Sequence, residues 1–185
     1  HGFFGKSGNN LHIDSKDIKN PMSACGLFLA GEYPLTASEI SCLNLSDVKL
    51  CILSACYSGL GVNKSNEGIF GLRRAFFLAG CQNTLICLWS INDFAGMLFI
   101  MLFYDGLIQK RLNSHEALQE AKLAMRTRTI KDWRPYWHKL LIDNGIKELT
   151  MAISSYLYQN EDYIPFEHPY YWAGFQIIGN PVYLR

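Results

Sequence analysis

The stretch that most constrains the fold is a run of apolar and β-branched residues that begins at Val48 and stops at a small-residue turn, Ser58-Gly59. Such a run is typical of a buried strand in a parallel sheet. Cys56 lies at the carboxyl end of this predicted strand, and open α/β sheets bind their ligands at that edge. Cys56 is therefore a candidate nucleophile. The alternative is a core thiol, because cysteine is among the most buried residue types.

The rest of the chain alternates predicted strands with predicted helices. Thr36 and Glu39 have the spacing of a helix capping box, and Gly80 follows a 3.6-residue apolar pattern as a carboxyl cap. The predicted strands cover residues 24–30, 48–56, 83–89 and 171–179, and the predicted helices cover 36–43, 69–79, 94–110, 114–128 and 132–160, the last divided at Asn144-Gly145. This alternation predicts an α/β fold of βαβ units, with residues 1–185 forming a single domain.

Composition excludes several classes of partner. The chain has 185 residues, an apolar fraction of 49% and a formal net charge of +1, so we expect a packed globular protein without a nucleic-acid partner held by bulk electrostatics. No signal peptide is visible, and the longest apolar run, Met97 to Tyr104, is too short to span a bilayer. The six cysteines have no metal-ligand spacing and are expected to be reduced thiols. We therefore expect a cytoplasmic protein with no membrane partner and no metal or organic cofactor.

An ordered series of motifs identifies a family. They are His1-Gly2, Leu53-Ser54-Ala55-Cys56-Tyr57-Ser58-Gly59, Glu67-Gly68-Ile69-Phe70-Gly71-Leu72-Arg73-Arg74-Ala75-Phe76, Ala79-Gly80, Leu88-Trp89-Ser90-Ile91-Asn92-Asp93, Phe103-Tyr104, Glu116-Ala117-Leu118 and Trp172-Ala173-Gly174-Phe175. The series resembles the CHAT domain, a family of caspase- and separase-like cysteine peptidases that are often joined to TPR repeats.

The resemblance implies a caspase-like three-layer αβα sandwich with a mostly parallel central sheet. The chain begins at His1 without an initiating Met, so we expect it to be a piece of a longer polypeptide that lacks its N-terminal strand or strands. In this family a His-Gly pair ends the strand before the catalytic one, so His1 would be the general base or ion-pair partner of Cys56. The backbone N–H groups of Gly2 and Cys56 would form the oxyanion hole.

The resemblance also implies substrate-binding residues, namely Asp93, Glu67 and Ser54. An acidic residue in the loop that contains Asp93 would face a basic P1 side chain, which a carboxylate can pair with bidentately when the side chain is Arg. A competing interpretation is that Asp93 caps the following helix. Glu67 matches the family's Gly-Glu-Gly loop, although Asn66 replaces the first Gly.

Two functions follow from the resemblance. The first is a cysteine endopeptidase that cleaves peptide bonds through an acyl-enzyme, held in check by a TPR region or another sensor in a signalling or defence role. The second is a catalytically inactive CHAT domain that acts as a protein-interaction or regulatory module. Five tyrosines in the carboxyl half, at 156, 158, 163, 170 and 171, are either a cover for the core or a docking surface.

Overall fold

A computed structural model describes residues 2–4, 21–30, 33–53, 67–144, 153–156 and 158–184. The chain divides into two compact units, and each is described by itself. The first unit comprises His1–Ser90 with Gly174–Arg185, and the second comprises Ile91–Ala173.

The first unit contains short strands and two helices in its described part. In chain order these are β1 (Gly2–Phe4), a 3-10 helix (Pro21–Ala24), β2 (Cys25–Leu27), β3 (Leu35–Thr36), α1 (Ala37–Ile40), β4 (Cys51–Leu53), α2 (Glu67–Leu78), β5 (Asn83–Cys87) and β6 (Phe175–Gly179). The second unit contains α3 (Asp93–Ile108), α4 (Ser114–Thr127), α5 (Ile130–Asn144), a helical segment at 153–156 and a 3-10 helix (Pro169–Tyr171).

The described strands form two sheets. Strands β1, β2 and β3 pair antiparallel in that order. In the second sheet β4 pairs parallel with β5, and β5 pairs antiparallel with β6. The α/β class is confirmed, with one parallel and three antiparallel pairs among the described strands, and the mostly parallel central sheet stays a prediction. Strand β6 returns antiparallel beside β5, an arrangement that sheets with parallel pairs tolerate well. The three-layer sandwich stays a prediction.

One hydrophobic core joins both sheets of the first unit. Its buried members come from β2, α1, α2 and the turn after α2, and they are Cys25, Ala37, Ile40, Leu72, Ala75, Phe76 and Cys81. Leu27 of β2 and Leu53 of β4 pack against this cluster. Strand β4, which leads to Cys56, and strand β2, which pairs with β1, therefore pack on one core.

Two local predictions in this unit are confirmed. The Thr36 hydroxyl accepts from the Glu39 backbone N–H at 3.2 Å, and a Glu39 carboxylate oxygen accepts from the Thr36 N–H at 2.8 Å. These reciprocal bonds satisfy two donors that a helix start leaves unpaired. Gly80 ends α2 with a φ of +93°, a backbone conformation that favours glycine.

Aromatic side chains fill the core of the second unit. Trp133 and Trp137 are buried and stack with their planes 7° apart, and Phe166 meets Trp133 edge-on at 5.6 Å between ring centroids. Tyr156 and Tyr171 contact Phe166, which supports the core-covering interpretation for those two tyrosines. The other three of the five tyrosines are exposed; they are Tyr158, Tyr163 and Tyr170.

Candidate active site

The strand that leads to the predicted nucleophile is β4. Its last residue, Leu53, lies opposite Ile86 of β5 in a parallel register, so the two strands end at the same edge of the sheet. Cys56 is the third residue after Leu53. Cys56 and Ser54 lie outside the described residues, and their roles stay predictions.

The strand that follows the predicted base is β1. Gly2 lies opposite Leu27 of β2, and Leu27 packs against the core cluster that Leu53 of β4 also contacts. His1 lies outside the described residues and directly precedes Gly2. The oxyanion hole from the N–H groups of Gly2 and Cys56 likewise stays a prediction.

Asp93 is the first residue of α3, and its side chain is exposed. The residue that caps α3 is Asn92, whose side-chain oxygen accepts from the backbone N–H groups of Phe94 at 3.0 Å and Ala95 at 3.2 Å. The interpretation of Asp93 as the helix cap is therefore wrong. The preceding amide does the capping because an N-cap side chain must come from the residue just outside the helix.

Glu67 is the first residue of α2, and its side chain lies outside the described part of the chain. Its role in substrate binding stays a prediction. Asn66, which replaces the family's first Gly before it, also lies outside the described residues.

The structure adds a residue at this edge that sequence reasoning did not single out. Trp89 lies two residues after the end of β5, and 37% of its surface is exposed. A Cβ on Gly174 would lie 2.8 Å from the Trp89 ring, so the ring packs directly on the glycine backbone. The Leu88 N–H donates to the Gly174 carbonyl at 3.0 Å and holds the two segments together. A signal for this contact was present in the sequence, because Trp89 and Gly174 each belong to a motif of the family series.

Two of the other thiols differ chemically from an activated nucleophile. Burial raises the pKa of Cys25 to about 11. Burial, followed by the nearby charge of Cys81, also raises the pKa of Cys51 to about 11. Both thiols are therefore protonated at neutral pH and poorly reactive. The five described cysteines are free, and Cys42 is the exposed one among them.

The described histidines outside the predicted dyad lie at a helix cap, in a first helical turn or on an exposed helix face. The ring nitrogen Nδ1 of His168 accepts from the Tyr170 N–H at 3.2 Å and caps the second 3-10 helix. His115 lies in the first turn of α4, and His138 is exposed on α5. Within the described residues no three or more His, Cys, Asp or Glu side chains group as metal ligands would. The helices of this described part are too short or too polar to cross a bilayer.

Together these features define a mixed α/β protein in which the predicted nucleophile follows a strand of a parallel pair. The family model for the CHAT domain matches residues 1–180, and the chain belongs to this family, which is related to caspase-like cysteine peptidases.

Proteins similar to this chain include two that are named for tetratricopeptide repeats. Tetratricopeptide repeat protein 28 of mouse is 29% identical over 154 residues, and the human protein of that name is 28% identical over 154 residues. Each match covers 83% of this chain and 5% of the relative, so the chain spans a small part of these proteins. No solved structure matches the chain.

Proposed function

We propose that this chain is a cysteine endopeptidase in which Cys56 and His1 form a catalytic dyad. The observation that carries the proposal is the parallel pairing of β4 with β5, because it ends the strand before Cys56 at the edge where α/β sheets bind ligands. The packing of β4 and of β2, which pairs with β1, on a common core supports it, since a dyad needs its two strands held rigidly.

The chemistry starts with proton transfer from the Cys56 thiol to the His1 imidazole. An unperturbed thiol has a pKa of about 8.5, so a neighbouring imidazolium is needed to hold it as thiolate at neutral pH. The thiolate attacks the scissile carbonyl carbon, and the N–H groups of Gly2 and Cys56 stabilise the oxyanion. The leaving amine takes the proton from His1. Water then hydrolyses the thioester, with His1 as base, and releases the acid and the free thiol.

The proposal includes a preference for Arg or Lys at P1, read by the carboxylate of Asp93. Its exposure and its freedom from the capping role, which Asn92 fills, support this assignment. Glu67 and Ser54 are proposed as further substrate contacts. The exposed ring of Trp89 supplies an apolar surface at the sheet edge where β4 and β5 end.

The test is covalent labelling by an arginyl acyloxymethyl ketone peptide, read by intact mass. Cys42 is exposed and would compete, so a Cys42→Ser background is used. We expect one adduct that is lost in Cys56→Ala and in His1→Ala. Cys87→Ala is the matched control, because Cys87 ends the neighbouring strand, and it should keep the adduct.

The P1 preference is tested in the same background with arginyl and leucyl probes. Asp93→Asn should reduce the rate of arginyl labelling and leave the leucyl rate unchanged. Asp105→Asn makes the same charge change on the same helix and should alter neither rate. Equal labelling by both probes in the unsubstituted chain would contradict the assignment of Asp93.

The second candidate function is a catalytically inactive module joined to a TPR or other sensor region. The observation that favours it is the tetratricopeptide repeat name of the relatives, in which this segment occupies 5% of the chain. Labelling that avoids Cys56, or that spreads over several thiols, would favour this module and overturn the peptidase proposal.

A further inference from the structure

A groove on the second unit is formed by residues that the proposed catalysis does not use. One wall is a face of α4 formed at helical spacing by Gln119, Lys122, Leu123 and Arg126, and the other wall is the ring of Trp172. The cavity has a volume of about 270 Å³. The opposite face of α4, with Ala117, Ala121 and Met125, is buried in the unit's core. The groove therefore belongs to the solvent side of a well-anchored helix.

The groove contains two cations that the described acidic residues leave unpaired. Lys110 pairs with Glu120 and Arg134 pairs with Glu161, whereas Lys122 and Arg126 form no ion pair with any described residue. Lys122 is half-buried, and burial lowers the pKa of its ammonium group. Partial burial of an ammonium without a counter-charge is unfavourable, and an anion in the groove would relieve it.

The ring of Trp172 is held in place by contacts within the second unit. Its indole N–H donates to the Glu167 carbonyl at 3.1 Å, and the Arg126 guanidinium carbon lies 6.0 Å from the ring centroid. The Arg126 guanidinium has five N–H donors, so it can bind an anion while it lies near the ring. An anion bound here would lie beside a flat apolar surface formed by Trp172 and Leu123.

The size of the groove decides among ligand classes. Small-molecule sites usually measure about 300 to 1,000 Å³, so this groove suits one or two side chains of a larger partner. Single-stranded nucleic acid needs a longer track of cations with successive aromatic rings. We propose that the groove is a binding site for an acidic peptide segment. A carboxylate of the peptide would bind Lys122 and Arg126, and an adjacent apolar side chain would pack against Trp172. This site is independent of Cys56 chemistry.

The proposal is tested with a fluorescein-labelled peptide in which a phenylalanine lies among glutamates between glycine-serine ends. Binding is measured by fluorescence anisotropy to the full chain carrying Cys56→Ala, so that cleavage cannot remove the probe. Lys122→Gln and Arg126→Gln should each weaken binding by about fivefold or more, since charge-assisted bonds are the strong ones. In NMR spectra the indole N–H signal of Trp172 should shift, while those of the buried Trp133 and Trp137 stay in place.

The matched control is Lys131→Gln, an equal loss of charge at an exposed position of the same unit. It should change the affinity less than about twofold, because an isolated surface charge contributes little. An equal loss in all three variants, equal binding of a peptide with lysines in place of glutamates, or no binding at about 1 mM peptide would each overturn the proposal. Binding of phosphatidylserine vesicles without binding of the peptide would also overturn it in favour of a membrane contact.

Discussion

At Gly174 the absence of a side chain decides how the segment after β5 packs. The Trp89 ring occupies the space where a Cβ would lie, at 2.8 Å from the nearest ring carbon. Trp89 is also the exposed ring at the proposed substrate edge, so a single methyl group at 174 is expected to disturb both packing and substrate contact.

Gly174→Ala should lower the free energy of unfolding by about 1 to 3 kcal/mol, as overpacking a close contact does. Urea unfolding followed by circular dichroism measures the change. The double variant Gly174→Ala with Trp89→Leu should lose less than the sum of the two single variants, because the smaller side chain removes the clash. Strict additivity would contradict the contact.

The Glu39 carboxylate gives a second residue-scale prediction. Hydrogen bonds from the Thr36 backbone N–H and then from the Thr36 hydroxyl lower the pKa of Glu39 from its ordinary value of 4.5. A carboxylate with a lowered folded-state pKa stabilises the fold above pH 4.5, and that stabilisation is lost as the pH falls through the lower folded-state value. Glu39→Gln should therefore flatten the acid-side fall in the unfolding midpoint.

The pH series is measured by thermal unfolding at constant ionic strength. Asp162→Asn, an equal charge change at an exposed turn, is the control and should leave more of the acid-side slope intact than Glu39→Gln does. Identical slopes for the Glu39 variant and the unsubstituted chain would show that the capping box contributes nothing to acid stability.

Among elements, α3 and α4 approach each other closely at Gly106. A Cβ there would lie 3.0 Å from the Ala117 Cβ and 3.1 Å from its backbone Cα. Gly106→Ala should therefore destabilise the chain by about 1 to 3 kcal/mol despite the better helix propensity of alanine. Gly96 of the same helix faces the movable end of Ile91 at 3.3 Å.

Gly96→Ala is the matched control, and it should change stability little or raise it by about 0.5 to 1 kcal/mol, as the backbone entropy of glycine predicts. Both variants are compared by urea unfolding with a common m-value. Equal effects of the two substitutions would contradict a close α3–α4 contact at Gly106.

Helix starts show where local patterns were sufficient and where they were not. The capping box at Thr36 and Glu39 was predicted because Glu is the usual third residue. The start of α5 was predicted at 132, whereas the helix begins at Ile130. There Thr129 and Asp132 form the same reciprocal bonds, with the Thr129 N–H donating to Asp132 at 2.9 Å. The shorter Asp side chain performs the role that the pattern assigns to Glu or Gln.

For the whole molecule, the difference in burial between the cysteines predicts which thiols an alkylating reagent modifies in the native protein. Cys25 and Cys81 are buried in the core of the first unit, and Cys42 is exposed. Native-state labelling with iodoacetamide at pH 7.5 should modify Cys42 and leave Cys25 and Cys81 unmodified until urea unfolds the chain. Buried thiols become reachable only by an opening that exposes the core.

Peptide mass spectrometry after timed labelling measures each thiol separately. The labelling rates of Cys25 and Cys81 should rise together across the urea transition, since both belong to one core. Labelling of either at the rate of Cys42 without urea would contradict the described burial.

The sequence by itself determined the α/β class, the order of the main elements, the Thr36 capping box and the Gly80 helix end. These features depend on short-range periodicity and on the conformations that single residues prefer, so they can be read within a window of a few residues. The candidate dyad of His1 and Cys56 also comes from the sequence, through the motif series.

Only the tertiary structure decided how distant segments pair. The antiparallel return of β6, the ladder of β1 to β3, the packing of Trp89 on Gly174 and the groove between α4 and Trp172 join residues far apart in the chain. Such contacts depend on register and on loop closure, which leave no local periodicity in the sequence. The cap of α3 is a local example. The geometry of the helix start places Asn92, and not its neighbour Asp93, at the capping position.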